Sequence, residues 1–300
     1  MDELELANIP KEVRNDPGTE LPPRLHSQYR GGVGQLQWLQ MQGNPLVSFD
    51  TSLLQSKCAG PNGHDLLQMN KVMRTAKHYS KLTTKIVAVP KHFTWLLMAD
   101  AAWANRPDGT STAGHLILAV HSAVWTGQKV QASLLSWNSK KIKRKVRSSL
   151  GAETQGFPTG LEHADLVRVF WGELCGDLAE LSEYEQYLRQ TPALGVNDCK
   201  SLAYALNNSG SAASKTSDDK RLAIEISMVK QRLQRAETSY QWVDGTYMAA
   251  DVLTKGTTRG NIDCLIRLMT ESSLMTKPTQ EMLDHKATVR EKKQKNKPKA

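Results

Sequence analysis

The chain has 300 residues, about twice a typical domain, with 39% apolar and 23% charged residues; one or two domains with a real core are expected, and wholesale disorder is excluded. No apolar run exceeds about six residues, far below the roughly 18 that span a bilayer, and the start at Met1, Asp2 and Glu3 is acidic where a signal peptide would be basic, so the expectation is an intracellular protein, cytoplasmic or nuclear, without a membrane. The net charge of +9 is local: it sits in the run 140–147 and in the stretch 286–300, and the remainder is slightly acidic.

In chain order, residues 1–28 are polar, carry Pro10, Pro17, Pro22 and Pro23, and read as an extended lead-in. Residues 29–85 read as a helical unit. Leu66, Met69, Met73, Ala76 and Tyr79 recur at three- and four-residue steps, with Lys71, Arg74 and Lys77 on other faces. Shorter helices are expected at 36–41 and 47–54, the second with Asn44 as cap and Pro45 in its first turn.

Residues 86–275 read as a second unit, a mixed α/β domain. Residues 86–89 are β-rich; Thr94 to Ala99 run straight into Asp100; a turn is expected at Arg106, Pro107, Asp108 and Gly109. With 116–120 and 134–137 this makes an antiparallel meander. A helix follows with Leu161, Ala164, Val167, Trp171, Leu174, Leu178 and Leu181 as its inner face and Glu162, Asp165, Arg168 and Asp177 on others. Gly156, Pro158 and Gly160 precede it, and because Pro158 is tolerated only in a first turn, the helix is expected to restart near Leu161 with Glu153 on the loop before it. A strand at 193–196, a flexible Ser/Gly/Ala loop at 207–216, a helix presenting Leu222, Ile226, Val229 and Leu233, a strand at 240–243 and a helix at 261–269 complete the order βββαβααβα. Residues 276–300 read as a basic, disordered tail.

Two acids stand at strand ends. Asp100 closes an apolar strand, and Asp198 follows another with one Asn between. If these strands lie side by side in parallel, both carboxylates emerge at one sheet edge, where ligands gather, and a cation is needed between them. Hard oxygen donors select Mg²⁺ or Mn²⁺. An Asp after a strand is also an ordinary turn starter, so this pattern alone leaves both readings open. Cys58, Cys175, Cys199 and Cys264 are scattered without CxxC spacing, which points to reduced, partly buried thiols rather than a zinc site.

The surrounding words are more specific. They are Asp100, Ala101, Ala102, Trp103, Ala104; Ser111, Thr112, Ala113, Gly114; Ser136, Trp137, Asn138, Ser139, Lys140, Lys141; Ser148, Ser149, Leu150, Gly151, Ala152, Glu153; Asp198, Cys199, Lys200, Ser201, Leu202; and Ala250, Asp251, Val252, Leu253, Thr254, Lys255. In this order, they resemble the ribonuclease H domain of copia-type LTR retrotransposon Pol polyproteins. Upstream, Tyr29, Arg30, Val33, Gly34, Leu36, Trp38, Leu39, Asn44 and Pro45, then 64–81, resemble the stretch that joins the reverse transcriptase to that domain. The resemblance covers roughly 29–270.

The resemblance implies a ribonuclease H-like mixed sheet flanked by helices, preceded by a small helical thumb or connection remnant of a reverse transcriptase. It implies Asp100, Glu153, Asp198 and Asp251 as catalytic, metal-binding carboxylates, with Glu153 the member expected to be most displaced. Two Mg²⁺ (or Mn²⁺) ions about 4 Å apart would serve hydrolysis of the RNA strand of an RNA–DNA hybrid. Lys140, Lys141, Lys143, Arg144, Lys145 and Arg147 would neutralise hybrid phosphates, against the plainer reading of a solvated loop. Ala102 stands where the family often has a second acid. The polymerase's own aspartate pair is absent, which implies a C-terminal Pol fragment without polymerase activity, with the remaining Pol segments as partners. The alternative is a catalytically decayed or host-adopted remnant that keeps the fold and at most binds nucleic acid; an integrase core is disfavoured by the order of the four acids.

Overall fold

The computed structural model describes residues 4–88, 93–207 and 220–277. Most of the loop at 207–216 and nearly all of the basic tail, as predicted from the sequence, lie outside the described residues.

The N-terminal unit is helical, but it starts earlier than its polar sequence suggests. α1 (Lys11–Asn15) and α2 (Pro23–Gln42) replace much of the extended lead-in. Pro23 sits in the first turn of α2, where its missing N–H costs nothing. The segment 36–41 is therefore the end of a 20-residue helix rather than a helix of its own. Asn44 does cap a turn: its Oδ1 accepts from the Leu46 amide at 3.2 Å, and Pro45 opens the 3-10 turn that leads into α3 (Ser48–Gln55). α4 (Gly63–His78) begins with a reciprocal capping box between Asn62 and Asp65. Leu66, Met69, Met73 and Ala76 are buried, as their spacing requires, against Leu4, Ile9, Leu21, Leu25, Tyr29, Val33 and Leu36.

Residues 82–88 form no strand, and Ile86 is exposed; a single short β-rich stretch without an alternating partner face does not make an edge. The meander is present: β1 (Phe93–Ala102), β2 (Ser111–His121) and β3 (Val130–Ile142) pair antiparallel. After α5 (Ser149–Cys175) and α6 (Tyr184–Gln190), β4 (Ala193–Asn197) pairs parallel to β1. α7 (Lys200–Asn207) and α8 (Lys220–Arg235) lead to β5 (Thr238–Trp242), parallel to β4. α9 (Val252–Lys255) and α10 (Ile262–Glu271) cover the other face, and β6 (Ser273–Leu274) adds two residues beside β3. The sheet order is β5-β4-β1-β2-β3-β6. This is the α/β arrangement expected from the sequence, a mixed sheet flanked by helices.

α5 differs from expectation in two ways. It runs unbroken for 27 residues with Pro158 inside it. Gly156 and Gly160 are contact points, not breakers. A Cβ at Gly156 would stand 3.2 Å from the Ala101 and Ala113 Cβ atoms, and one at Gly160 would stand 2.9 Å from a Leu97 methyl, so their bareness lets the helix lie directly on β1 and β2. That close approach offsets the backbone bond Pro158 cannot make. The inner face is as expected at its start and turned further on. Leu161 and Ala164 are buried with Val167 packed beside them, but Ala152, Gly156, Gly160, Arg168 and Gly172 are buried too, whereas Trp171 and Leu174 of the expected face are exposed. Leu178 and Leu181 lie beyond the helix.

The helical unit is joined to the sheet by polar contacts. Trp137 Nε1 donates to the Gln40 carbonyl at 2.7 Å, and buried Arg106 donates to Ser52 Oγ at 2.6 Å.

Candidate metal centre

The parallel pairing of β1 with β4 places Met98 opposite Val196, so Asp100, two residues on within β1 and opposite Gly114, and Asp198, just past the end of β4, stand at one edge. α5 starts beside that edge. Ser148 caps it by accepting from the Gly151 amide at 3.1 Å, and Glu153, in its second turn, points back to the strand ends. One carboxylate oxygen from each of Asp100, Glu153 and Asp198 lies within 4.8 Å of the others. Asp100 and Glu153 are buried and Asp198 is partly buried.

Asn197 fixes Glu153. It is fully buried; its Nδ2 donates to Glu153 Oε2 and to the Ala99 carbonyl, both at 2.9 Å, while its Oδ1 accepts from the Cys199 amide at 2.7 Å. Trp242 Nε1 donates to the Asp198 carbonyl at 2.9 Å and holds the turn after β4. Thr254 donates its hydroxyl to Asp100 Oδ2. Gly114 permits that hydrogen bond: it faces Asp100 across β1 and β2, and a Cβ there would come within 2.5 Å of the Leu253 Cβ, pushing α9 off the sheet.

Glu153 is thus an integral member of the cluster, contrary to the loop position expected from Pro158. Asp251 is the displaced acid. Its carboxylate accepts from Lys255 Nζ and, at 2.8 Å, from the Asn261 amide, and it lies outside the three-acid group. Asn197, Thr254, Lys255 and Trp242 carry roles that spacing alone does not single out. A polar Asn ending an apolar strand is the available signal for the first, and the Thr-Lys after Asp251 for the next two.

The acids strain against one another. Burial lifts the Asp100 carboxyl to about 6, with the charges of Asp198 and Asp251 adding to the rise against the pull of Lys255 and Thr254. Burial and the Asp100 charge raise Glu153 well above its ordinary value, and burial raises Asp198. Three oxygen donors this close, disfavoured as anions without a counter-charge, suit one hard divalent ion.

A pH dependence follows. A carboxyl whose folded pKa lies above its unfolded one stabilises the fold below its unfolded pKa of about 4, and that stability is lost as pH rises through about 6. The rise in melting temperature on adding Mg²⁺ is therefore expected to be larger near pH 7.5 than near pH 5, in thermal melts of the same preparation. An equal rise at both values would contradict the coupling.

The six cations of 140–147 lie on the approach to α5. Lys140 and Lys141 lie just before the end of β3 at Ile142, Trp103 Nε1 donates to the Val146 carbonyl at 3.0 Å, Lys141 pairs with Asp108, and Arg144 pairs with Glu225. Lys140, Lys141, Lys143 and Arg144 line one wall of a cavity of about 820 Å³ between β3, α5 and α8, which none of the four acids lines. Among the described residues, no helix is long and apolar enough to cross a membrane.

No protein-family model and no curated protein matches the chain. Among solved structures, the native prototype foamy virus protease-reverse transcriptase is similar at 13% identity, over 64% of this chain and 22% of that one, with a TM-score of 0.33. The solution structure of the PFV RNase H domain is similar at 12% identity, over 60% of this chain and 91% of that one, with a TM-score of 0.29. The chain thus spans under a quarter of the length of the protease-reverse transcriptase it is similar to.

Proposed function

We propose that this chain is a metal-dependent, ribonuclease H-like nuclease fragment of a copia-type retroelement polyprotein, acting on the RNA strand of RNA–DNA hybrids. The observation that carries this reading is the convergence of Asp100, Glu153 and Asp198 from β1, α5 and the end of β4. Asp100, Glu153 and Asp198 would hold one Mg²⁺ or Mn²⁺ ion, and Asp100 with Asp251 would hold a second. Such ions lower the pKa of an attacking water and neutralise charge on the scissile phosphate and leaving 3′ oxygen. Asn197 and Thr254 keep the Glu153 and Asp100 carboxylates aimed before substrate arrives, so little reorganisation is needed at the moment of reaction. Residues 29–85 are read as the end of a reverse transcriptase. The continuous α5, which carries Glu153 to the other two acids, supports this reading over a decayed remnant. The test is a strand-labelled hybrid incubated with Mg²⁺: the RNA strand is expected to be cut, and a chelator to stop the cutting. A hybrid that is bound but left whole would favour the remnant that only binds.

The basic run is read as the part of the chain that meets the hybrid's phosphates. Neutralising Lys140, Lys141, Lys143, Arg144, Lys145 and Arg147 together is expected to weaken metal-free hybrid binding for every sequence. The log–log salt slope should flatten by about 0.9 for each duplex phosphate that the chain no longer neutralises. Unchanged affinity and slope in a salt titration would make the run a solvated loop.

A further inference from the structure

Lys255 sits between two of the acids. Its ammonium donates to the Asp251 carboxylate and stands 3.9 Å from Asp100 Oδ2. Asp100 is 2% exposed and the Lys255 side chain 38%, so the stem enters from solvent and only its charged end reaches the acids. One cation bridging two carboxylates is the arrangement a bridging divalent ion would make, with an ammonium in its place.

Resting on the metal reading above, we propose that Lys255 is a built-in counter-cation that holds the place of the second ion. The site fills its first ion through Asp100, Glu153 and Asp198, and its second only as Lys255 swings out. Three observations support this. The mutually close ligand oxygens belong to the three acids that Lys255 does not separate, and Asp251 is excluded from them. Asp251 does not depend on Lys255 for its position, because the Asn261 amide holds its other oxygen at 2.8 Å; it stays beside Asp100 when the lysine leaves. The lysine itself can leave. It is the last residue of the four-residue α9, followed by Gly256 at a φ of 71°, and its flexible four-carbon stem is partly in water.

The test is a Mn²⁺ titration of the full chain without nucleic acid, read by the paramagnetic resonance signal of free Mn²⁺, for the unaltered protein, Lys255→Gln and Lys255→Arg. The unaltered protein is expected to bind one ion at least about tenfold more tightly than the second, since the ammonium must first be displaced from the Asp100 and Asp251 carboxylates. Lys255→Gln should tighten the second ion by roughly tenfold while moving the first much less, and Lys255→Arg should keep the second ion weak. In melts without metal, Lys255→Gln should lower the melting temperature, and Mg²⁺ should raise it more than in the unaltered protein. A second ion equally weak in Lys255→Gln, or two equally tight ions in the unaltered protein, overturns the proposal and leaves the metal reading standing. No ion bound by any of the three overturns both.

Discussion

Asp198→Asn is expected to cut hydrolysis of a labelled RNA–DNA hybrid in Mg²⁺ by about a thousandfold or more, with metal-free hybrid affinity nearly unchanged. The substitution keeps the shape of the side chain and removes a charge that would help hold the proposed ion. Several kcal/mol of charge stabilisation depend on that ion, and each ~1.4 kcal/mol is tenfold in rate. Asp100→Asn should behave alike in rate. It differs in stability: Asp100 is buried with its pKa raised by burial, so its amide should make the metal-free protein more stable near neutral pH. Single-turnover cleavage and a binding titration separate these effects. Equal losses of affinity and rate would mean that the acids serve folding rather than chemistry.

The largest expected effect on stability lies away from the site, at Arg168. Its guanidinium is 1% exposed inside α5. It pairs with Asp165 at 3.1 Å, and it donates to Thr238 Oγ1 at 3.3 Å and to the carbonyls of Leu188, Thr191 and Ala236. One side chain thus ties α5 to the end of α6, the entry to β4 and the start of β5, so it fixes the strand that carries Asp198. Burial lowers its pKa against the pull of Asp165. Arg168→Ala should cost about 3–5 kcal/mol, because Asp165 is left to pair with Arg232 and three carbonyls lose a donor. Arg168→Lys should recover less than half, since an ammonium cannot reproduce the planar fork. Urea unfolding midpoints measure both. A loss under about 1 kcal/mol would mean that water replaces the guanidinium without penalty.

Much of this architecture is legible in the sequence, for physical reasons that also mark where legibility ends. β1 and β2 are apolar runs bounded by turn residues, and the Arg106–Gly109 turn between them ends at a glycine with φ 70°. Asp100 and Asp198 can be placed at one edge because both follow apolar strands, and parallel pairing does the rest. The stripe on α4 shows at helical spacing because its residues are large and apolar. α5 hides its inner face for the opposite reason. Gly156, Gly160, Ala164 and Gly172 are buried for being small, and Arg168 is buried because the chain folds acceptors around it, all but that of Asp165 on residues remote in sequence. Large side chains on the same helix, Leu166, Phe170 and Leu174, are exposed. Glu153 is therefore misplaced by a local rule about proline that tertiary packing overrides. The lead-in hides its structure differently, since Leu4, Ile9, Leu21 and Leu25 are too sparse among polar residues to show a period, yet all reach one core. Asp251 sits apart from the other three acids, held by Lys255 and by the amide of Asn261, a backbone partner ten residues on that side-chain spacing cannot reveal.

If Asp100, Glu153 and Asp198 hold a divalent ion, crystals of the full chain grown with Mn²⁺ will show it in data collected at the manganese absorption edge. An anomalous peak is expected about 2.1–2.3 Å from one oxygen of each of the three carboxylates, a distance suited to a hard cation on oxygen donors. The peak should disappear in Asp198→Asn crystals grown the same way. Bound manganese elsewhere with none between these three side chains, or a peak there that survives Asp198→Asn at full strength, would contradict a divalent-ion centre at these acids.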